Sequence, residues 1–224
     1  MANDNGKRFV VAIDGPSGAG KSTVARGVAE ALGYMVLDTG AMYRAVAFSA
    51  KKRGIATASI NELTEMAASL DIRFVGDPQT PRLMVDGCDI TDFIRTPEIG
   101  NLASAISAFE GVRKVLVKQQ RRIGASGGIV TEGRDQTTVV FHDAKVKVFL
   151  DASAEERARR RYEELVEKGQ DITYEDILAQ QIERDERDST RTHSPLRVAE
   201  GAVVIDSDKL SAEQVIERIL ELCK

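Results

Sequence analysis

The residues best suited to chemistry stand near the start of the chain. Gly15-Pro16-Ser17-Gly18-Ala19-Gly20-Lys21-Ser22-Thr23 contains G-x-x-x-x-G-K-[ST], the spacing of a phosphate-binding loop. Its glycines let the backbone curl so that successive amides point inward at phosphate oxygens. A helix beginning near Lys21 aims its positive end at the same point. Lys21 adds a charge for the terminal phosphates, and the Ser22 hydroxyl is a ligand for Mg²⁺. The loop implies a nucleoside triphosphate, ATP or GTP, without stating the reaction.

Three further clusters bear on that reaction. In Asp38-Thr39-Gly40-Ala41-Met42-Tyr43-Arg44, Thr39 is a candidate helix cap, and Tyr43 and Arg44 follow in the first turns. Taken alone, Arg44 reads equally as a surface arginine. Glu132-Gly133-Arg134-Asp135 sets a carboxylate and a guanidinium beside a glycine, which suits a polar ligand or a local salt bridge. Arg157, Arg160 and Arg161 form a ladder with Glu155 and Glu156. Arg184, Asp188 and Arg191, beside Arg187, share one helix face. Such ladders are often only solvated salt bridges. Beside a triphosphate loop they read also as arginines that close over the phosphates. The candidate bases are carboxylates: Asp14, Asp38, Glu132 and Asp135. An acceptor that is itself a phosphate dianion needs no base, so arginine without an evident base favours phosphate-to-phosphate transfer. The carboxylate of a second nucleotide-binding motif is left open between Asp151 and Glu132.

These clusters need elements to position them. Short apolar runs at 9–14, 35–38, 129–131, 146–150 and 202–206 read as buried strands. Helical periodicity falls at 21–32, 39–53, 98–108, 110–124, 153–168, 173–189 and after 211. Strands alternating with helices predict an α/β fold, a parallel β-sheet flanked by helices with the ligand site at the strands' carboxyl ends. Between about Ile60 and Pro97 the pattern changes to a short helix, a strand at 72–75 and a hairpin of 82–85 and 88–91 around Asp86-Gly87. This reads as a small antiparallel insert at 60–97 in a core of 1–59 and 98–224, with a helical lid at about 153–191.

Composition narrows the class. The chain has 224 residues, 42% hydrophobic and 29% charged, which is ordinary for a globular protein. A net charge of −4 argues against a nucleic-acid binder held by bulk charge. No apolar run is long enough to span a membrane and no signal-peptide core precedes the first strand, so membrane and secreted classes are not expected. Two cysteines, Cys88 and Cys223, and two histidines argue for a reduced cytoplasmic setting without a zinc site.

Read together, Ile13 to Lys21, Leu37 to Arg44, Asp71-Ile72-Arg73-Phe74, Ile94-Arg95-Thr96, Glu132 to Asp135, Phe149 to Ala158 and Glu183 to Asp188 resemble the bacterial cytidylate kinase family. The match runs in order from Val10 to the last helix. The resemblance implies a P-loop NTPase fold of the nucleoside monophosphate kinase type, in which 60–97 is the enlarged monophosphate-binding region. It implies transfer of the ATP γ-phosphate to CMP or dCMP with Mg²⁺, by a protein expected to be monomeric. Lys21, Arg157, Arg161 and Arg191 would then neutralise the transferring group. Arg44 and Arg134, with Arg191 nearby, would hold the acceptor phosphate; Thr39 and Tyr43 would line its sugar and phosphate. Ser104, Arg113 and Asp135 match positions that read cytosine, and Arg184 and Asp188 those that hold ribose. A carboxylate accepts from the cytosine amino group, whereas uracil presents an acceptor there.

Two positions depart from the family pattern: Thr39 stands where Ser is common, and Gln136-Thr137-Thr138 replaces an aliphatic-Gly-Thr run. The rival readings are a P-loop kinase for UMP, dephospho-coenzyme A or shikimate, an NTP-hydrolysing switch, and a nucleotide-binding regulator without catalysis. The guanine-reading segment of a GTPase does not occur.

Overall fold

A computed structural model describes residues 8–167 and 169–224. The chain forms strands β1 (Val10–Asp14), β2 (Met35–Asp38), β3 (Ile72–Val75), β4 (Arg82–Val85), β5 (Cys88–Asp89), β6 (Ile129–Gly133), β7 (Val146–Asp151) and β8 (Val203–Asp206). The helices are α1 (Lys21–Leu32), α2 (Thr39–Arg53), α3 (Ile60–Ser69), α4 (Pro97–Ile106), α5 (Glu110–Ile123), α6 (Ala154–Glu167), α7 (Tyr174–Thr190) and α8 (Ala212–Leu222). Five strands make one parallel sheet in the order β2-β6-β1-β7-β8, and β3-β4-β5 make a small antiparallel one. The expected α/β class with an antiparallel insert is what the chain adopts.

The order of the large sheet matters more than its size. β6 lies between β1 and β2 although it follows both much later in the chain, starting at Ile129 where they end at Asp14 and Asp38. In register, Asp14 stands opposite Gly133 and Asp38 opposite Glu132. Three segments that carry candidate chemistry therefore leave the sheet side by side at its carboxyl end.

One apolar core packs α1 and α8 on a face of the sheet through Val24, Val28, Val215 and Ile219 against Val11, Ile13 and Val148. The other joins α2, α4 and α5 to the insert through Met42, Val46, Ile106 and Leu116 with Leu63, Leu83 and Val85. The insert is thus continuous with the core around α2, α4 and α5, and among the described residues it has no core of its own. By contrast, α6 and α7 share a separate small cluster of Ala158, Leu165 and Ile177.

Local signals explain most boundaries. Asp38, and not the expected Thr39, caps α2 by accepting from the Ala41 amide at 2.8 Å, since the Thr39 hydroxyl donates to the Glu132 carbonyl; Gly33 and Gly54 end α1 and α2 in left-handed conformation. Asp86 and Gly87 both have positive φ, the twist that a two-residue hairpin requires. Two further details differ from expectation. β5 stops at Asp89 because its carboxylate turns to accept from the Thr91 amide and hydroxyl. A wide helical turn at Gln136–Val140 was not foreseen; in it the Phe141 amide returns to the Gln136 carbonyl, five residues back.

Candidate active site

The loop at 15–20 joins β1 to α1 at the carboxyl end of the sheet. Gly15 has no alternative: a Cβ there would lie 2.0 Å from the Leu150 carbonyl oxygen of β7. Gly18, at φ +82°, sits against the Cβ of Arg157. Lys21 is buried and arches back so that Nζ donates to the Pro16 carbonyl at 2.6 Å. The Ser22 hydroxyl donates to Glu132 Oε1 at 2.5 Å. Of the two carboxylates left open by the sequence, Glu132 is the one that reaches the Ser22 hydroxyl. Asp151 ends β7 on the other side and accepts from the Ala152 amide.

Burial shapes the charges here. It lowers the Lys21 pKa to about 7; Arg134 and Arg184 add to the shift, while Glu132 and Asp14 oppose it. Burial and the nearby Asp38 raise Glu132 above the usual carboxylate range, against the pull of Lys21.

The ten acceptor-side residues expected from sequence, at 39, 43, 44, 104, 113, 134, 135, 184, 188 and 191, all line one cavity. Ser17, Gly18, Lys21 and Ser22 of the loop line the same cavity. Its wall sets five arginines and a lysine against four carboxylates, in a chain whose net charge is −4. Long-range pairs organise it. Arg113 and Asp135 form a buried ion pair; Arg113 also donates to the Ser107 carbonyl at 3.0 Å and lies 5.6 Å over the Tyr43 ring. Arg134 of the β6 exit reaches Asp188 of α7 at 2.8 Å. Burial pushes Asp188 up, but Arg134, Arg184 and Arg191 outweigh it and hold the carboxyl below its ordinary value. Arg187 contacts the Ser104 hydroxyl at 3.3 Å, and Arg191, just past the end of α7, donates to the Ser194 carbonyl.

Three buried polar atoms of this wall have no partner among the described residues: Tyr43 Oη, Arg184 Nε and Arg191 Nη2. Orphaned donors cost free energy unless something satisfies them, and a polar ligand in the cavity would. Burial also lowers the Arg184 pKa to about 10 and raises that of Tyr43 to about 12.

Not every expected residue sits in the wall. Arg157 is buried beneath the loop, where Nε donates to the Ala152 carbonyl and Nη1 to the Ser17 carbonyl, both at 2.9 Å. It also pairs with Asp185, so it braces the loop to α7. Arg161 pairs with Glu164 on the outer side of α6 and does not line the cavity. Asp14, one of the candidate bases, is fully buried and engaged by the turn at 136–137, away from the cavity wall.

Sequence reasoning gave no role to Asp185 and did not foresee how Gly133 and Gln136 pack. A Cβ on Gly133 would lie 2.8 Å from Thr39 Oγ1 and 2.9 Å from the Gln136 side chain. Thr39 donates to the Glu132 carbonyl at 2.7 Å, and Gln136 bridges Thr131 and Gln120 behind it. The two departures from the family pattern thus belong to one buried polar cluster.

Comparison with known proteins agrees with this geometry. A family model described as cytidylate kinase matches residues 11–224. A protein named cytidylate kinase from Geobacter sp. (strain M21) is 50% identical over 217 residues, which cover 97% of this chain and 92% of that one. Its namesake in Geobacter sulfurreducens is 52% identical, covering 94% of this chain and 91% of its own. That of Aeromonas salmonicida is 46% identical, covering 94% and 92%. A phosphate loop and an arginine-rich acceptor wall in one cavity, matched over nearly the whole chain, place the protein in the cytidylate kinase family, and it is a phosphotransferase.

Proposed function

We propose that the protein transfers the γ-phosphoryl group of ATP to CMP and dCMP, giving CDP and dCDP. The observation that carries this reading is the single cavity shared by the phosphate loop and all ten acceptor-side residues. An oxygen of the acceptor phosphate attacks the γ-phosphorus, and the bond to the bridging oxygen of ADP breaks. The acceptor is a dianion at neutral pH, so no base is required. Catalysis then consists of positioning plus charge stabilisation.

The residues divide accordingly. Loop amides of 15–20 and Lys21 hold the ATP phosphates. Arg44, Arg134 and Arg191 hold the acceptor phosphate, with Thr39 and Tyr43 beside it. Ser104, Arg113 and Asp135 read cytosine; Arg184 and Asp188 hold the sugar. Ser22 with Glu132 presents hard oxygen donors that fit Mg²⁺, with phosphate oxygens and water filling the remaining positions. When bound, the ion would supply neutralisation of the phosphate charge. Arg157 acts by fixing the loop, and Arg161 enters when the lid closes and its pair with Glu164 opens.

The core is 1–59 and 98–224, the monophosphate-binding region is 60–97 and the lid spans about 153–191. The cavity of about 160 Å³ is smaller than the ~300 Å³ at the low end of ligand pockets. Arg134 and Asp188 pair across it, so the acceptor must separate them on entry. We further read the protein as a cytoplasmic monomer without nucleic-acid or membrane partners; no described helix is long and apolar enough to cross a membrane.

The test is product formation from ATP and CMP, dCMP, UMP, AMP, dephospho-coenzyme A or shikimate in parallel. CDP and dCDP as the main products are expected. Preference for another acceptor, or binding of both nucleotides without turnover, would replace this reading with one of its rivals. Light scattering tests the monomer.

A further inference from the structure

Asp14 is the last residue of β1, adjoins Gly15 of the phosphate loop and is fully buried. Its carboxylate accepts three hydrogen bonds, all from more than a hundred residues away. The Gln136 amide reaches Oδ1 at 2.8 Å; the Thr137 amide and hydroxyl reach Oδ2 at 2.7 and 2.6 Å. These are the first two amides of the wide turn, which an isolated turn would leave unsatisfied. The turn begins directly after Asp135, and the Val139 and Val140 amides close it by returning to the Asp135 carbonyl at 2.9 and 3.1 Å. Asp135 in turn holds Arg113. The charged groups that interact with Asp14 are Asp135 itself and Lys21 of α1. One carboxylate therefore ties the root of the phosphate loop to the root of the segment that presents Asp135.

We propose that Asp14 is a positioning residue that fixes the orientation of Asp135 relative to the phosphate loop and so sets acceptor affinity without touching either substrate. The inference rests on the reading of Asp135 as an acceptor-side residue. Losing the tie leaves the ATP cradle in place and loosens the group that faces the acceptor base. Its signature is a rise in acceptor KM rather than a general loss of activity.

Three substitutions separate this from a purely structural role. Asp14→Asn keeps the size and one acceptor oxygen but turns an NH₂ toward a backbone donor. Thr137→Val deletes only the hydroxyl bond, and Thr137→Ser retains it. Asp14→Asn should raise the KM for CMP at least about tenfold and Thr137→Val about threefold, with the KM for ATP changed by less than about threefold. Thr137→Ser should stay within about twofold of wild type. In an Asp135→Ala background, Asp14→Asn should add less than about twofold, since the group it positions is gone.

Amide hydrogen exchange of 136–141 in the ligand-free protein should be at least about tenfold faster in Asp14→Asn, a readout independent of any acceptor. Wild type that makes no CDP would sink the functional reading, while exchange still decides whether Asp14 holds the turn. Full additivity of the two aspartate variants, equal rises in both KM values, or unchanged exchange would each overturn the inference. Should Asp14→Asn fail to fold, the Thr137→Val and Thr137→Ser pair is judged by the same criteria.

Discussion

ATP binding at alkaline pH should draw a proton from solution, and Lys21 should be where it goes. The Lys21 ammonium is buried, donates to the Pro16 carbonyl, and burial lowers its pKa from 10.5 to about 7. At pH 8 it is then charged in roughly one molecule in ten. A triphosphate in the loop brings negative charge next to Nζ and restores the ammonium. Binding therefore takes up about 0.9 proton at pH 8 and about 0.1 at pH 6. Above pH 7 the affinity for ATP should fall, approaching tenfold per pH unit, or about 1.4 kcal/mol. Isothermal titration in two buffers of different ionisation enthalpy reads the uptake directly, as the slope of observed heat against buffer heat. Lys21→Met should abolish the uptake at pH 8 and weaken ATP. A slope near zero in wild type, or the same slope in the variant, would refute the account of Lys21 as a desolvated cation awaiting phosphate.

Asp135→Ala should raise the KM for CMP by about thirtyfold or more while moving that for ATP by less than about threefold; it also strands Arg113, so unfolding should show a loss of about 3 kcal/mol. Equal changes in both KM values would mean that Asp135 does not face the acceptor base. Arg157→Ala removes the brace to the Ser17 and Ala152 carbonyls and to Asp185, and should cost about 3 kcal/mol in denaturant titrations. Arg161→Ala, at an exposed pair, should change stability by less than about 0.5 kcal/mol yet lower kcat about tenfold or more; an unchanged kcat would reduce it to a surface ladder residue. Burial lifts Asp14 from 3.8 to about 6 against its three hydrogen bonds, so the folded protein holds the proton more tightly than the unfolded chain. Asp14 therefore contributes stability that is present below pH 4 and lost as pH rises through 6, about 3 kcal/mol in all. Urea titrations should show the advantage of wild type over Asp14→Asn shrinking across that window; an advantage that grows would contradict the sign.

Features set by neighbouring residues were legible in the chain itself. The run from Gly15 to Ser22, the helix from Thr39 to Gly54, and the Asp86-Gly87 turn depend on local sterics, capping and hydrophobic period, and each formed where its pattern fell. The acceptor wall was readable by resemblance, because its residues lie in short recognisable segments. What the sequence could not disclose was which segments stand side by side. Only the strand order β2-β6-β1-β7-β8 brings Glu132 to Ser22, and only it sets Asp14 under the turn that follows Asp135. Arg157 offers the same lesson: its ladder spacing fits a solvated helix, yet its guanidinium is buried among carbonyls of the loop and of β7's exit. Helix and strand periods are written over a few residues, whereas the free energy that chooses neighbours in a sheet is summed over the whole core. The partner of a buried charge is therefore decided by the tertiary fold.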